Sequence, residues 1–156
     1  MLKPWGGVPR FYIFGIFERI DYMDLGLLAK KAVEAKALAY APVSKFRVGA
    51  ALLGASGKVY IGCNVESVAF TPTCCAERTA LVKAVSEGEL EFTDIAVSGG
   101  PDGKAYCYPC GVCRQMLYEF GKDEMTVVVA KTGDDYKVHT LGELLPHGFS
   151  AKDLEL

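Results

Sequence analysis

From Asp24 to Tyr40 the apolar residues Leu25, Leu28, Ala32, Ala35 and Ala39 fall on one face of a helix, with Lys30, Lys31, Glu34 and Lys36 on the others. Pro42 ends that helix, because the residue before a proline avoids the helical region. Val48–Leu53 then reads as a strand, Gly54-Ala55-Ser56-Gly57 as a turn and Lys58–Cys63 as the returning strand of a hairpin. A loop through Val68–Thr73 leads to a helix that starts around Cys75, carries Ala80, Leu81, Ala84 and Val85, and stops at Gly88. Thr93–Val97 is a strand and Gly99–Gly103 a loop, and a further helix runs from about Cys110 to Gly121. Met125–Ala130 is an unbroken apolar run, as in a strand buried on both faces. Lys137–His139 reads as a short edge strand, and Leu141–Leu145 as a helical turn before Pro146. Helix, hairpin, helix, strand, helix, strand is the order of an α/β domain. It predicts a mainly parallel sheet with helices on its faces.

The pattern has no counterpart in the first twenty residues. There Trp5, Phe11, Tyr12, Phe14 and Phe17 are broken up by Pro4, Gly6, Gly7, Pro9 and Gly15. The run Phe11–Phe17 is at the short end for the apolar core of a signal peptide, and no small-residue cleavage site follows. We read residues 1–22 as an N-terminal extension outside the core fold and 23–156 as one domain, long enough to bury a core of its own. An arm packed on a neighbouring subunit is the other reading of the extension. No apolar run approaches the roughly 18 residues of a membrane span.

Composition narrows the partners. Hydrophobic residues make up 51% and charged residues 23% of the chain, as in a globular protein. The net charge is −2, with lysine and arginine scattered rather than striped. Binding a nucleic acid depends on neutralising many phosphates, so no nucleic-acid partner is expected, and a small neutral substrate fits better. The six cysteines crowd into short clusters with no secretory signal, which favours metal or redox chemistry in a cytoplasmic protein over a disulfide framework.

The clusters carry the candidate chemistry. Cys75 precedes Glu77 and Arg78 at one predicted helix start, and Cys110 and Cys113 stand at the other in Pro109-Cys110-Gly111-Val112-Cys113. Three thiolates at helix N-termini suit Zn²⁺, and a zinc with three protein ligands keeps a fourth position open for catalysis. Cys74 and Cys107 are the other thiols nearby, and a fourth ligand from either would close the site and make it structural. Glu77 is of the right type to carry a proton for the water on such a metal. Three thiolates weaken the metal as a Lewis acid; Arg78 can donate to their sulfurs and draw off charge. Asn64 and Glu66 follow the second hairpin strand. If the chain stays extended they face the same side, where an amide and a carboxylate can grip a pair of hydroxyls.

Cys75-Ala76-Glu77 with Pro109-Cys110-Gly111-Val112-Cys113 resembles the signature of the zinc-dependent cytidine deaminases, the small homotetrameric kind acting on free nucleosides. The segments Ala41–Leu52, Gly62–Glu66, Ala76–Ala80 and Leu144-Leu145-Pro146 followed by Phe149 are also similar to that family. The resemblance runs from about Met23 to Leu154. It implies a three-layer α/β/α sandwich with a mixed, mainly parallel five-stranded sheet and helices on both faces. It implies one zinc per subunit on Cys75, Cys110 and Cys113, with Glu77 as proton shuttle. Asn64 and Glu66 would hold the ribose hydroxyls, Phe46 would lie against the pyrimidine, the Ala76 backbone would contact the base, and Phe149 would reach a neighbouring subunit's site. The implied reaction is hydrolytic deamination of cytidine and deoxycytidine to uridine and deoxyuridine, as in pyrimidine salvage. Val43 departs from the family, which commonly has an aromatic there, and the loop Phe70-Thr71-Pro72-Thr73-Cys74 is unusual in detail. The rival readings are a deaminase of a modified cytosine nucleoside such as blasticidin S, and a structural zinc module that only binds partners. The run Glu77-Arg78-Thr79-Ala80 favours ordinary cytidine over the former.

Overall fold

The computed structural model describes residues 23–101 and 104–154. The first helix, α1 (Leu25–Ala35), starts where the Asp24 carboxylate accepts from the Gly26 amide at 2.9 Å. It ends sooner than the predicted Tyr40, tightening into a 3₁₀ turn over Lys36–Leu38. Tertiary pairing is the cause. The Tyr40 amide donates to the Asn64 carbonyl at 3.0 Å, and its own carbonyl accepts from the Glu66 amide at 2.8 Å, so residues 39–40 must be extended.

The hairpin forms as predicted from β1 (Val48–Gly54) and β2 (Val59–Cys63), closed by Gly57 at φ 83°. Then follow α2 (Ala76–Ser86), β3 (Phe92–Gly99), α3 (Gly111–Gly121), β4 (Thr126–Ala130), the edge strand β5 (Tyr136–Thr140) and a short α4 (Leu141–Leu144). Gly88, at φ 92°, follows α2 as the expected stop.

The five strands form one mixed sheet in the order β2-β1-β3-β4-β5. The expectation of a mainly parallel sheet needs correction, since only β3 and β4 pair in parallel. The strands joined through helices, β2, β3 and β4, do all run the same way. However, β1 lies between β2 and β3 and opposes both, and β5 returns beside β4 through a tight connection.

Alternation along the strands divides the core into two layers. Ala51, Ala96, Val128 and Ala130 face Leu28, Ala29 and Ala32 of α1. Ala50, Leu52, Ile95, Val97, Val127 and Val129 pack against Ala76, Ala80, Leu81, Leu117 and Leu141 on the other side. Small residues bring helix and sheet together. A Cβ on Gly62 of β2 would lie 2.3 Å from the Ala76 carbonyl oxygen and 2.4 Å from the Ala80 amide, so the first turn of α2 rests directly on that strand. This contact fixes where α2 begins, and with it the candidate site. The N-terminal extension expected over residues 1–22 lies outside the described residues.

Candidate metal centre

Cys75 and Cys110 are the N-cap residues of α2 and α3. Their carbonyls accept the first helical bonds, from Thr79 and Arg114, each at 3.0 Å. Neither thiol caps its helix, so both are free for another ligand while unpaired amides and the positive helix ends lie close by. Cys113 stands one turn into α3 and is wholly buried. The three sulfurs lie within 4.8 Å of one another. Cys75 Sγ and Cys110 Sγ are 3.8 Å apart. Two thiolates on a tetrahedral zinc at Zn–S distances of about 2.3 Å are separated by about 3.8 Å, so this pair already fits the ion.

The thiols share their protons unequally. A hydrogen bond from Cys113 pulls Cys75 down to about 5, with Arg78 adding to the effect. Cys113 is pushed up, first as the partner that keeps the proton and then by burial. Such a cluster, short of negative charge it could hold, suits a divalent cation with soft ligands. Arg78 Nη2 donates to the Thr73 carbonyl at 2.9 Å and to Cys75 Sγ at 3.9 Å.

Glu77 is 3% exposed, and burial raises its pKa above that of an ordinary carboxyl, with the charge on Cys75 adding to the shift. It is therefore a carboxyl that can hold a proton beside the three sulfurs. The two remaining thiols nearby are not ligands in this arrangement. Cys74 accepts from the Thr79 hydroxyl at 3.5 Å, and Cys107 is pushed up to about 11 by burial. Among the described residues the metal-ligating cluster holds Cys75, Cys110 and Cys113.

The structure places Asn64 and Glu66 beneath the loop Ala41–Val48, and there the simple picture of two free hydroxyl-grippers changes. Asn64, 7% exposed, accepts from the Val48 amide at 2.8 Å and donates to the Phe46 carbonyl at 2.9 Å. Glu66 accepts from the Val43 and Ser44 amides at 3.0 and 3.1 Å and from the Ser44 hydroxyl. A carboxylate has about four acceptor positions, so Glu66 keeps room for one more donor. Phe46 is 45% exposed, with one edge of its ring against Gly99 and Gly100. Ala76 is buried at the start of α2. Phe149, 55% exposed, lies in the C-terminal segment, where its carbonyl accepts from Gln115 Nε2 at 2.8 Å.

Sequence reasoning missed Ser44, Thr73 and Gln115. Ser44 left a trace: a serine two residues before an amide it can cap is a local turn signal. Thr73 acts through its carbonyl, and Gln115 through a contact across 34 positions, so neither leaves a pattern.

Known proteins similar to this chain bear on the site. Residues 24–130 match the family model of the cytidine and deoxycytidylate deaminase zinc-binding region. The cytidine deaminase of Sporosarcina psychrophila is 44% identical over 132 residues, 85% of this chain and 96% of the relative. That of Halalkalibacterium halodurans is 43% identical over 132 residues, 85% of this chain and 98% of the relative. The crystal structure of cytidine deaminase from Burkholderia pseudomallei superposes with a TM-score of 0.76 at 43% identity, over 81% of this chain and all of that one. Zinc is the cofactor of the matched region, and the three-cysteine cluster is positioned to receive it.

Proposed function

The chain belongs to the zinc-dependent cytidine deaminase family, and on that premise we propose that it removes the exocyclic amino group of cytidine and deoxycytidine by hydrolysis. The observation that carries this reading is the pairing of a three-thiolate cluster with a buried carboxyl of raised pKa on the same helix turn. Three protein ligands fit a catalytic zinc rather than a structural one, which would take four.

Cys75, Cys110 and Cys113 hold the ion, which when bound supplies a Lewis-acidic centre that lowers the pKa of a water towards about 7. Glu77 takes the proton from the attacking water and passes it to ring N3, which makes C4 electrophilic. Oxygen adds at C4. Glu77 then takes the second proton, from the oxygen now on C4, and delivers it to the amino group; the C4–N bond breaks with its electron pair on nitrogen, the C4=O bond forms, and ammonia leaves. Arg78 steadies the thiolate charge of Cys75. Phe46 lies against the pyrimidine, the Ala76 backbone meets the base, and Glu66 takes one ribose hydroxyl in its remaining acceptor position while Asn64 offers its remaining N–H.

The cluster is open to solvent in a single chain, with Cys110 exposed. Neither of the two recesses described, about 310 and 240 Å³, contains it. This supports a homotetramer whose sites are completed across subunit interfaces, with Phe149 of one copy reaching the next. No helix among the described residues is long and apolar enough to cross a membrane. A cytoplasmic enzyme of pyrimidine salvage is consistent with these features.

Metal analysis with an ultraviolet assay for loss of cytidine tests the proposal. The expected result is one zinc per chain with stoichiometric uridine and ammonia. Release of ammonia from blasticidin S but not from cytidine, or zinc without any turnover, would replace it.

A further inference from the structure

We propose that Ser44 is a positioning residue that sets the base-stacking ring of Phe46 relative to the sugar-binding carboxylate of Glu66; this rests on the nucleoside reading of the site given above. The Ser44 hydroxyl does two things at once. It donates to Glu66 Oε1, and it accepts from the Phe46 amide at 2.9 Å. A hydroxyl has one donor and two acceptor positions, so both bonds are made without competition. The group that would stack on the base and the group that would take the sugar are thus joined through one oxygen atom.

The rest of the loop depends on that joint. Between Ser44 and Phe46 stands Lys45 at φ 60°, a left-handed conformation that a lysine keeps only where its neighbours hold it. The Phe46 carbonyl is tied to Asn64 Nδ2 at 2.9 Å, and the ring meets a fixed floor. A Cβ on Gly100, at φ 74°, would lie 2.8 Å from Phe46 Cε2, and one on Gly99 would lie 3.1 Å from Cε1 and 2.5 Å from Cys107 Sγ. The Phe46 ring therefore has its floor on Gly99 and Gly100, its carbonyl held by Asn64, and its amide held by Ser44. Of these three anchors only the serine also touches Glu66.

Loss of the hydroxyl leaves Glu66 on the Val43 and Ser44 amides, so the carboxylate stays in the loop but loses its angular setting. The Phe46 amide loses its partner. Substrate binding should suffer and the chemical step, which uses Glu77 and the metal, should not.

The test uses the zinc-loaded full chain. Ser44→Ala should raise KM for cytidine about tenfold, the size expected for one charge-assisted hydrogen bond, with kcat within about twofold of the wild type. Zinc content and thermal midpoint should stay near wild type, and Ser44→Thr, which keeps the hydroxyl, should restore KM. The double variant Ser44→Ala with Phe46→Ala should be less impaired than the product of the two single effects, because the serine acts in part through the ring. An unchanged KM in Ser44→Ala overturns the proposal, as do multiplying effects in the double variant or a Ser44→Thr protein as impaired as Ser44→Ala. Amide hydrogen exchange at Phe46 gives a readout free of substrate. It should quicken in Ser44→Ala even if cytidine proves to be the wrong nucleoside, so failure here is distinguishable from failure of the functional reading.

Discussion

The metal cradle and the loop Ala41–Val48 are built by opposite means. The cradle is backbone work: two helix starts, one seated on Gly62 of the sheet, bring Cys75, Cys110 and Cys113 together with Glu77 and Cys113 out of solvent. The loop Ala41–Val48 is exposed from Pro42 to Arg47 and is held by side chains, chiefly Glu66, Asn64 and Ser44. A cradle fixed by packing has little room to adjust, so changes there should be large. A loop held by separable hydrogen bonds should fail by degrees. On the function proposed above, chemistry would fall to the rigid side and selection of the nucleoside to the adjustable one.

The largest effect should come from the most buried ligand. Cys113→Ser removes a sulfur with no solvent access, and we expect loss of the ion together with a fall in turnover on the order of 10⁴-fold or more. Metal analysis beside a cytidine assay checks both. A protein that kept its zinc and half its rate would mean that the cradle is not the unit described here.

Glu77→Gln separates the ion from the proton. The helix and all three thiols remain, so zinc should stay near one per chain while kcat falls by about 10²–10⁴-fold. A near-normal rate would remove Glu77 from the mechanism. Gly62→Ala attacks the cradle from behind, without touching a functional group. The added methyl would sit 2.3 Å from a backbone oxygen that cannot swing aside, so α2 must lift. We expect about 3 kcal/mol of lost stability in denaturant melts and weakened zinc retention in a chelator competition. If stability falls and zinc retention does not, the α2 start is less firmly coupled to the sheet than the packing indicates.

The same division decides what was legible in the sequence. Ligand spacing, a carboxyl two residues on and helix starts are local features, so Cys75, Glu77, Cys110 and Cys113 stood out as a group before any fold was known. The hairpin and the helix-linked strands were legible for the same reason. Long-range choices were not. Nothing local says that β1 inserts between β2 and β3, which turned an expected mainly parallel sheet into one with a single parallel pair. Nothing local says that Tyr40 pairs across to Asn64 and Glu66 and so cuts α1 short. Asn64 and Glu66 were singled out by type, but much of their hydrogen-bonding capacity goes to the loop above them, which alternation along a strand could not reveal.

The smallest effect is the most direct probe of the adjustable side. The Ser44 hydroxyl is the leading cause holding the Glu66 carboxyl below the ordinary range, and the Ser44 and Val43 amides add to it. A carboxyl depressed in the folded state stays ionised to lower pH than it does in the unfolded chain. Its contribution to stability is therefore complete above the ordinary carboxylate range and is lost as pH falls through the depressed folded value. In Ser44→Ala the leading cause is gone while both amides remain, so the titration of Glu66, followed by its side-chain carboxyl carbon in NMR, should move up towards an ordinary glutamate without reaching it. Any difference in melting temperature between the two proteins should be present at neutral pH and vanish once both carboxyls are protonated. The thiolate cluster is held by other groups, so zinc content at neutral pH should not change. An upward move of Glu66 with intact zinc would show the two halves of the site to be separable, and a Glu66 titration that ignores Ser44 would mean that the amides alone fasten the loop.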